Sequence, residues 1–392
     1  MREFRDEETD LVKKKAIVFI VLLGIVSLLA DMTYEGARSI TGPYLAILGS
    51  SALVVGLVAG LGELLGYSLR LVSGYLTDRT RKYWTLTILG YVVNLLAVPL
   101  LALAGSWQLA AVLMVVERMG KAIRTPPRDV MLSHATSSVG RGWGFGLHEA
   151  LDQIGAITGP LLVALILYRE GSYQASFAFL LLPALLALAT LVISRFLYPH
   201  PHELEVGMPQ LETKGFQRTY WIYMVAAALI AIGFADFPLL AFHFQKTGVL
   251  SPSMIPIFYA VAMGVDAVAA LSFGRLFDRI GVLSVAVATG ISSLFAPLVF
   301  LGKFEWALLG MVLWGVGMGA QESVMRAAIA EISPLKRRGV AYGLFNAIFG
   351  VSWFIGSFLM GFFYDLNPIY VVVISVAAQI IAIPFLLWTL RK

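Results

Sequence analysis

The 392-residue chain contains no cysteine. Disulfides, thiolate nucleophiles and cysteine-ligated metal centres are therefore excluded. Charge is also scarce. Asp, Glu, Lys and Arg make up 14% of the residues, and hydrophobic residues make up 59%. Soluble domains carry about 25% charged and about 45–50% apolar residues. With a mean hydropathy of +0.82, no aqueous fold has enough interior to absorb this chain, so its solvent is lipid. Several apolar runs exceed about 18 residues, which argues for helices and against the short alternating strands of a β-barrel. No G-x4-G-K-[ST] loop is present, so an ATP-driven pump is unsupported. The five His residues are scattered without H-E-x-x-H spacing. No catalytic constellation marks an enzyme, and no cofactor or resident metal is expected. The opening "MREFRDEETDLVKKK" lacks the pattern of a cleavable signal and reads as a charged cytoplasmic lead-in.

What remains is a series of apolar segments with short polar breaks. They predict an all-α polytopic membrane protein with twelve helices near 16–47, 52–76, 84–105, 107–125, 142–168, 174–197, 218–246, 253–276, 282–302, 304–330, 338–364 and 367–390. The first is long enough to require tilt or a kink, with Pro43 the expected bend. Basic residues cluster in alternate loops: Lys13–Lys15, Arg79 to Lys82, Arg124 to Arg141, Lys214 and Arg218, Arg275 and Arg279, Lys336 to Arg338, then Arg391 and Lys392. The positive-inside rule puts those loops and both termini in the cytoplasm, as in a multi-pass protein of the cell inner membrane. The sequence pI of about 9.3 is thus a matter of topology, and no nucleic-acid partner is implied. The least apolar stretch, 198–217, separates an N-terminal six-helix bundle (16–197, after a cytoplasmic segment 1–15) from a C-terminal one (218–392).

The halves repeat at about 200 residues. "GYLTDRTRKYW" from Gly74 aligns with "GRLFDRIGVL" from Gly274, and "RGWGFGLHEALDQIGAITGP" from Arg141 aligns with "RGVAYGLFNAIFGVSWFIGS" from Arg338. Two parallel six-helix halves are a transporter architecture. At these residues the chain resembles the major facilitator superfamily, whose loop signature between spans 2 and 3 reads roughly G-x-L-x-D-R-x-G-R-[RK]. Gly74, Asp78, Arg79 and Lys82 match it, with Arg81 where Gly is usual; Gly274, Asp278 and Arg279 form the second copy. The resemblance implies a gating role: this loop latches the state open to the outside. Asp78 is expected to cap a neighbouring helix, and Gly74 to permit close helix contact. Span 5 carries Gly146, Gly155, Gly159 and Pro160 at the spacing the superfamily associates with antiporters and exporters, although Val163-Ala164 replaces its final glycine pair. The string "ERMGKAIRTPPRD" (Glu117–Asp129) resembles one recurrent in a group of prokaryotic permeases of this superfamily. Its Thr125-Pro126-Pro127 is expected to end span 4.

Charges inside apolar spans are costly, about 2.5–3.5 kcal/mol each at mid-membrane on insertion scales, and normally face a cavity or a partner. Asp31, Glu35 and Arg38 fall at i, i+4 and i+7 on one face of span 1, with Tyr34 beside them. Arg38 is expected to hold one acid ionised and leave the other to titrate. Span 2 offers Glu63, Tyr67 and Arg70. Span 4 offers Glu117, Arg118 and Lys121, with Glu117 and Lys121 as i,i+4 partners, and span 5 offers His148, Glu149 and Asp152. In the repeat, the span 5 trio aligns with Phe345, Asn346 and Phe349, and the span 4 trio with Val316, Gly317 and Ala320. Packing alone therefore does not demand these charges. Asp236 and His243 in span 7 and Asp266 in span 8 complete the candidates, with Tyr34, Tyr67, Asp236, Asp266 and Asn346 as substrate contacts; His134 and His202 read as loop residues. The expected function is proton-coupled antiport by a monomer, exporting a small organic or drug-like compound with the proton gradient as energy source. An organic-anion or metabolite permease is the alternative. A divalent-metal exporter using Asp31, Asp236 and His243 is a further one.

Overall fold

The computed structural model describes residues 2–136, 139–199, 217–333 and 338–390. The described residues form α1 (Arg2–Ile47), α2 (Ala52–Thr80), α3 (Tyr83–Leu100), α4 (Trp107–Thr136), α5 (Arg141–Glu170), α6 (Tyr173–Phe179), α7 (Leu181–Leu197), α8 (Arg218–Gly233), α9 (Phe237–Thr247), α10 (Met254–Ile280), α11 (Leu283–Ser292), α12 (Phe295–Leu301), α13 (Phe304–Ile332), α14 (Arg338–Leu366) and α15 (Pro368–Trp388). The pairs α6/α7, α8/α9 and α11/α12 are single crossings interrupted by a few residues, so the chain makes twelve crossings in two halves of six. Ten of these are long and apolar enough to span a bilayer by composition alone. The other two, α4 and α13, are the fourth crossing of each half. The expected linker falls largely on 200–216, outside the described residues, together with His202 and Lys214.

Several boundaries differ from expectation for physical reasons. Helix α1 begins at Arg2, far ahead of residue 16, and runs 46 residues through Pro43, about 69 Å at 1.5 Å per residue. It therefore projects well beyond the roughly 30 Å hydrocarbon core. Helix α4 does not stop at Thr125; it carries Pro126 and Pro127 inside and ends at Thr136. The missing N–H of Pro127 leaves the Ile123 carbonyl without its helical donor, and the Ser73 hydroxyl of α2 donates to that carbonyl at 2.6 Å. His134 consequently sits in α4, buried, with its ring 5.9 Å from Tyr83, not in a loop. The seventh crossing is broken at 234–236. There the Gly233 carbonyl accepts from Ser375 (2.6 Å) and Gln379 (3.1 Å), and the Ala235 carbonyl accepts from the Trp314 indole (2.9 Å). Side chains thus replace the lost ladder, which is what lets backbone unwind in an apolar interior. Pro238 restarts the helix in its first turn.

The halves meet tightly on the face opposite the termini. A Cβ on Gly56 of α2 would lie 2.2 Å from the Ser357 carbonyl of α14, and one on Gly42 of α1 would lie 2.0 Å from the Pro238 carbonyl of α9. Asp365 of α14 accepts from the Ala52 and Leu53 amides at the start of α2 (3.1 and 2.9 Å). The Tyr173 hydroxyl donates to Gln245 at 2.9 Å. Among the described residues no comparable set of contacts closes the face carrying the termini.

Candidate functional site: a charged central cavity

A cavity of about 580 Å³ lies between the halves, walled by α1, α4 and α5 on one side and α10 and α13 on the other. Phe145 and Gly146 near the start of α5, and Arg128 and Asp129 late in α4, line its mouth, so it opens on the face of the termini. A lobe of about 110 Å³ extends toward α2 and α14, and a crevice of about 50 Å³ continues past Arg38 toward the closed face. Every coupling and substrate residue named from the sequence lines one of these spaces: Asp31, Tyr34, Glu35, Arg38, Glu63, Tyr67, Arg70, Glu117, Arg118, Lys121, His148, Glu149, Asp152, Asp236, Asp266 and Asn346.

The charges sort into two clusters. The first centres on Arg38, whose Nη2 lies 2.8 Å from Asp236 and 3.6 Å from Glu63, and whose Nη1 lies 3.9 Å from Glu35. Asp236 occupies the break before α9, and its other oxygen accepts from the Trp353 indole at 3.4 Å. Glu35 also receives the Tyr259 hydroxyl at 2.5 Å and the Lys121 ammonium at 3.7 Å. Arg118 bridges Glu63 and Glu117, at 3.5 Å each, and Asn94 donates to Glu117 at 2.6 Å. One expectation is corrected here: Lys121 pairs with Glu35 on α1 and not with Glu117. Arg38 pairs with Glu35 of its own helix and, at a shorter distance, with Asp236 of the other half. Helix α4 is turned so that Lys121 faces α1, while the adjacent pair Glu117 and Arg118 faces α2 and α3.

The second cluster lies nearer the open face. Asp31 is 7% exposed, and its Oδ1 has no hydrogen-bond partner among the described residues. One oxygen each of Asp152, Asp266 and Gln153, and both ring nitrogens of His148, share that condition. Gln153 reaches across the halves to Asp266 at 3.5 Å, and His148 lies 4.0 Å from Asp152. Above them Arg124 is fully buried, and all three of its guanidinium nitrogens lack hydrogen-bond partners among the described residues. It is held over the Tyr91 ring at 4.2 Å and the Tyr34 ring at 5.5 Å, and Lys121 lies 3.9 Å above the same Tyr34; cation–π contact stands in for ion pairing here. Small residues place this cluster. A Cβ on Gly155 would lie 2.2 Å from the Leu28 carbonyl and 3.0 Å from the Asp31 Cβ, and one on Gly159 would lie 2.3 Å from the Met32 carbonyl. Gly146, from the same motif, has open space around it and does not serve close packing here.

The gating motif is disengaged. Asp78, Arg79, Asp278 and Arg279 are exposed, as is Lys82. Among the described residues Arg79 donates to Tyr75 alone, 3.2 Å away on its own helix. A Cβ on Gly74 would meet nothing closer than Pro126 at 3.9 Å, and Gly274 has open space. Among the described residues no hydrogen bond joins Asp78 to another helix; an acid that does cap a helix of the other half is Asp365, on the opposite face. His243 is directed away from the cavity and hydrogen-bonds Tyr364 at 2.8 Å. Among the described residues no three His, Asp or Glu side chains converge as metal ligands, so Asp31, Asp236 and His243 do not form the set the metal alternative needs.

Sequence reasoning passed over Tyr259, Gln321, Glu322 and Arg326, all of which line the cavity or its lobe. For Glu322 and Arg326 a signal existed, a carboxylate and a guanidinium four residues apart in an otherwise apolar span, one turn beyond the repeat positions compared. Tyr259 had none.

The profile of the Major Facilitator Superfamily matches residues 23–321 and again 219–392. An uncharacterized protein of Mycobacterium bovis is 42% identical over 372 residues, covering 93% of this chain and 91% of that one. An uncharacterized MFS-type transporter of Methanocaldococcus jannaschii is 29% identical over 365 residues, covering 89% of each chain. Among solved structures, the nucleoside transporter NupG superposes with a TM-score of 0.74 at 14% identity, over 95% of this chain and 98% of that one.

Proposed function

The chain belongs to the Major Facilitator Superfamily, and we propose that this membrane transporter couples solute movement to protons, exporting a small organic compound by alternating access. In the orientation the basic loops predict, the open face is cytoplasmic and the cavity is loaded from inside. One observation carries the proton coupling: of the two acids on the α1 stripe, only Asp31 is buried with an unpartnered oxygen. Glu35 is held by Arg38, Lys121 and Tyr259, and Glu63 by Arg38 and Arg118. The charges acting on Asp31 come from three helices: Asp152 on α5, Lys121 and Arg124 on α4, and Glu35 on α1 itself. Rocking the halves changes the distance from Asp31 to Asp266, across the cavity on the other half. Its proton affinity then differs between the two states, and a proton shifts their populations by that difference. In this scheme Asp31 takes its proton when the cavity faces outward and releases it toward the cytoplasm.

The absence of native cysteine makes the test direct. Spin labels at Thr80→Cys and Ile280→Cys, on α2 and α10 at the open face, report the separation of the halves. We expect acidification to shift the distance distribution of the parent, and Asp31→Asn to abolish that shift. A parent distribution indifferent to pH, or an Asp31→Asn distribution that still moves with pH, would sink the assignment.

A further inference from the structure

We infer that the lobe between α2, α13 and α14 is an anion subsite, built to hold the carboxylate of a planar aromatic acid between Arg70 of one half and Arg326 of the other. The inference deepens the transport function proposed above and rests on the cavity being the solute path. Cations in the lobe outnumber acids five to two: Arg38, Arg70, Arg118, Lys121 and Arg326 against Glu63 and Glu322. Three of the five are already engaged, Arg38 and Arg118 with Glu63 and Lys121 with Glu35. Arg70 and Arg326 form no ion pair among the described residues, and the Nε of Arg70 is buried without a hydrogen-bond partner. Both line this lobe and the main cavity, and Arg70 lies 5.4 Å from the Tyr67 ring centroid. Glu322 stands one turn from Arg326 on α13 and feels its charge, but no ion pair joins the two among the described residues. Two free guanidinium groups, planar and always charged, match a carboxylate in geometry and sign.

The rest of the lobe selects the body of the ligand. Tyr67, Phe349 and Trp353 form a continuous aromatic wall, with ring centroids 6.1 Å apart for Tyr67–Phe349 and 5.6 Å for Phe349–Trp353. Such a wall favours a flat apolar ring over a sugar or an extended chain. An anion bound there also acts on conformation. It cancels the repulsion between Arg70 and Arg326, which sit on opposite halves, and so favours closure of the open face over the ligand.

The test uses the full-length purified protein in detergent, with no pH gradient, and follows thermal unfolding against the concentration of benzoate, benzyl alcohol or benzylamine. Benzoate is expected to stabilise saturably, and the neutral and cationic analogues are not. Arg70→Gln and Arg326→Gln should each weaken the apparent benzoate affinity by at least about tenfold. Glu322→Gln, which removes an acid from the lobe, should tighten it, a gain that misfolding cannot produce. The inference is overturned by a benzoate response undiminished in both arginine variants, by benzylamine stabilising as well as benzoate, or by a wild type that ignores benzoate. Because no gradient is present, the two proposals fail separately. Benzoate binding without a pH-driven shift defeats the coupling scheme alone, and a pH-driven shift without benzoate binding defeats the subsite alone.

Discussion

At the scale of single residues, Arg38 is the hub of the cavity. It neutralises Asp236, Glu63 and Glu35 while only 11% exposed. Removing one partner of a buried pair leaves the other charge uncompensated, which costs about 3–5 kcal/mol. Arg38→Ala should therefore lower the thermal unfolding temperature of the detergent-solubilised protein markedly, and Arg38→Lys, which keeps the charge but loses the planar fork, should lower it less. Equal loss in both variants would mean that packing, not charge, is what Arg38 supplies. The helical period placed Asp31, Glu35 and Arg38 on one stripe correctly. It could not say which acid Arg38 meets, because Asp236 is 198 residues away in sequence and Tyr259 is 224 residues from Glu35.

Elements show where local signals held and where neighbours overrode them. Pro126-Pro127 is a strong local stop, yet α4 continues because Ser73 of α2 supplies the donor that Pro127 removes. Gly233 and Pro238 flank a break in the seventh crossing that hydropathy could not reveal, since the unwound residues include Phe234 and Ala235. Two glycines with nearly identical crowding should behave differently. Gly155 joins α5 to α1 within one half, whereas Gly56 joins α2 to α14 across the halves. Gly155→Ala overpacks a contact present in every state and should cost about 1–3 kcal/mol of stability, read as a lowered unfolding temperature. Gly56→Ala overpacks only the state closed on this face. Labels at Ile47→Cys and Leu366→Cys should then report a longer mean distance with little loss of stability. An unchanged distance would place Gly56 outside the gate.

The whole molecule is open on the face of the termini and sealed on the other by Asp365, Tyr173–Gln245 and the Gly56 and Gly42 contacts; the proposed alternating access requires that seal to open. Joining Tyr173→Cys to Gln245→Cys, whose native side chains meet at their tips at 2.9 Å and so stand too far apart for a direct disulfide, with a reducible bifunctional thiol reagent should lock this conformer. A third cysteine at Met318 on the cavity wall, labelled after the crosslink forms, should then react with impermeant maleimide only from the face of the termini, and reduction should restore reaction from both. Labelling from the opposite face with the crosslink intact would show that the seal lies elsewhere.

Composition and hydropathy determined that lipid is the solvent and that twelve segments cross it, while the internal repeat and the motifs at Gly74, Gly274 and Gly146 carried the two halves and the resemblance to the family. These properties are read within a segment, or between two copies of one, so linear order carries them. Only the tertiary structure decided which acids are neutralised, which remain bare, and which face is open. An ion pair in a low-dielectric interior is set by whichever side chain lies within about 4 Å, and here those neighbours come largely from other helices, as far as 198 residues away for Arg38 and Asp236. Asp31, Glu35 and Glu63 look alike as letters; the cations packed against Glu35 and Glu63, and the bare oxygen of Asp31, are what make them differ.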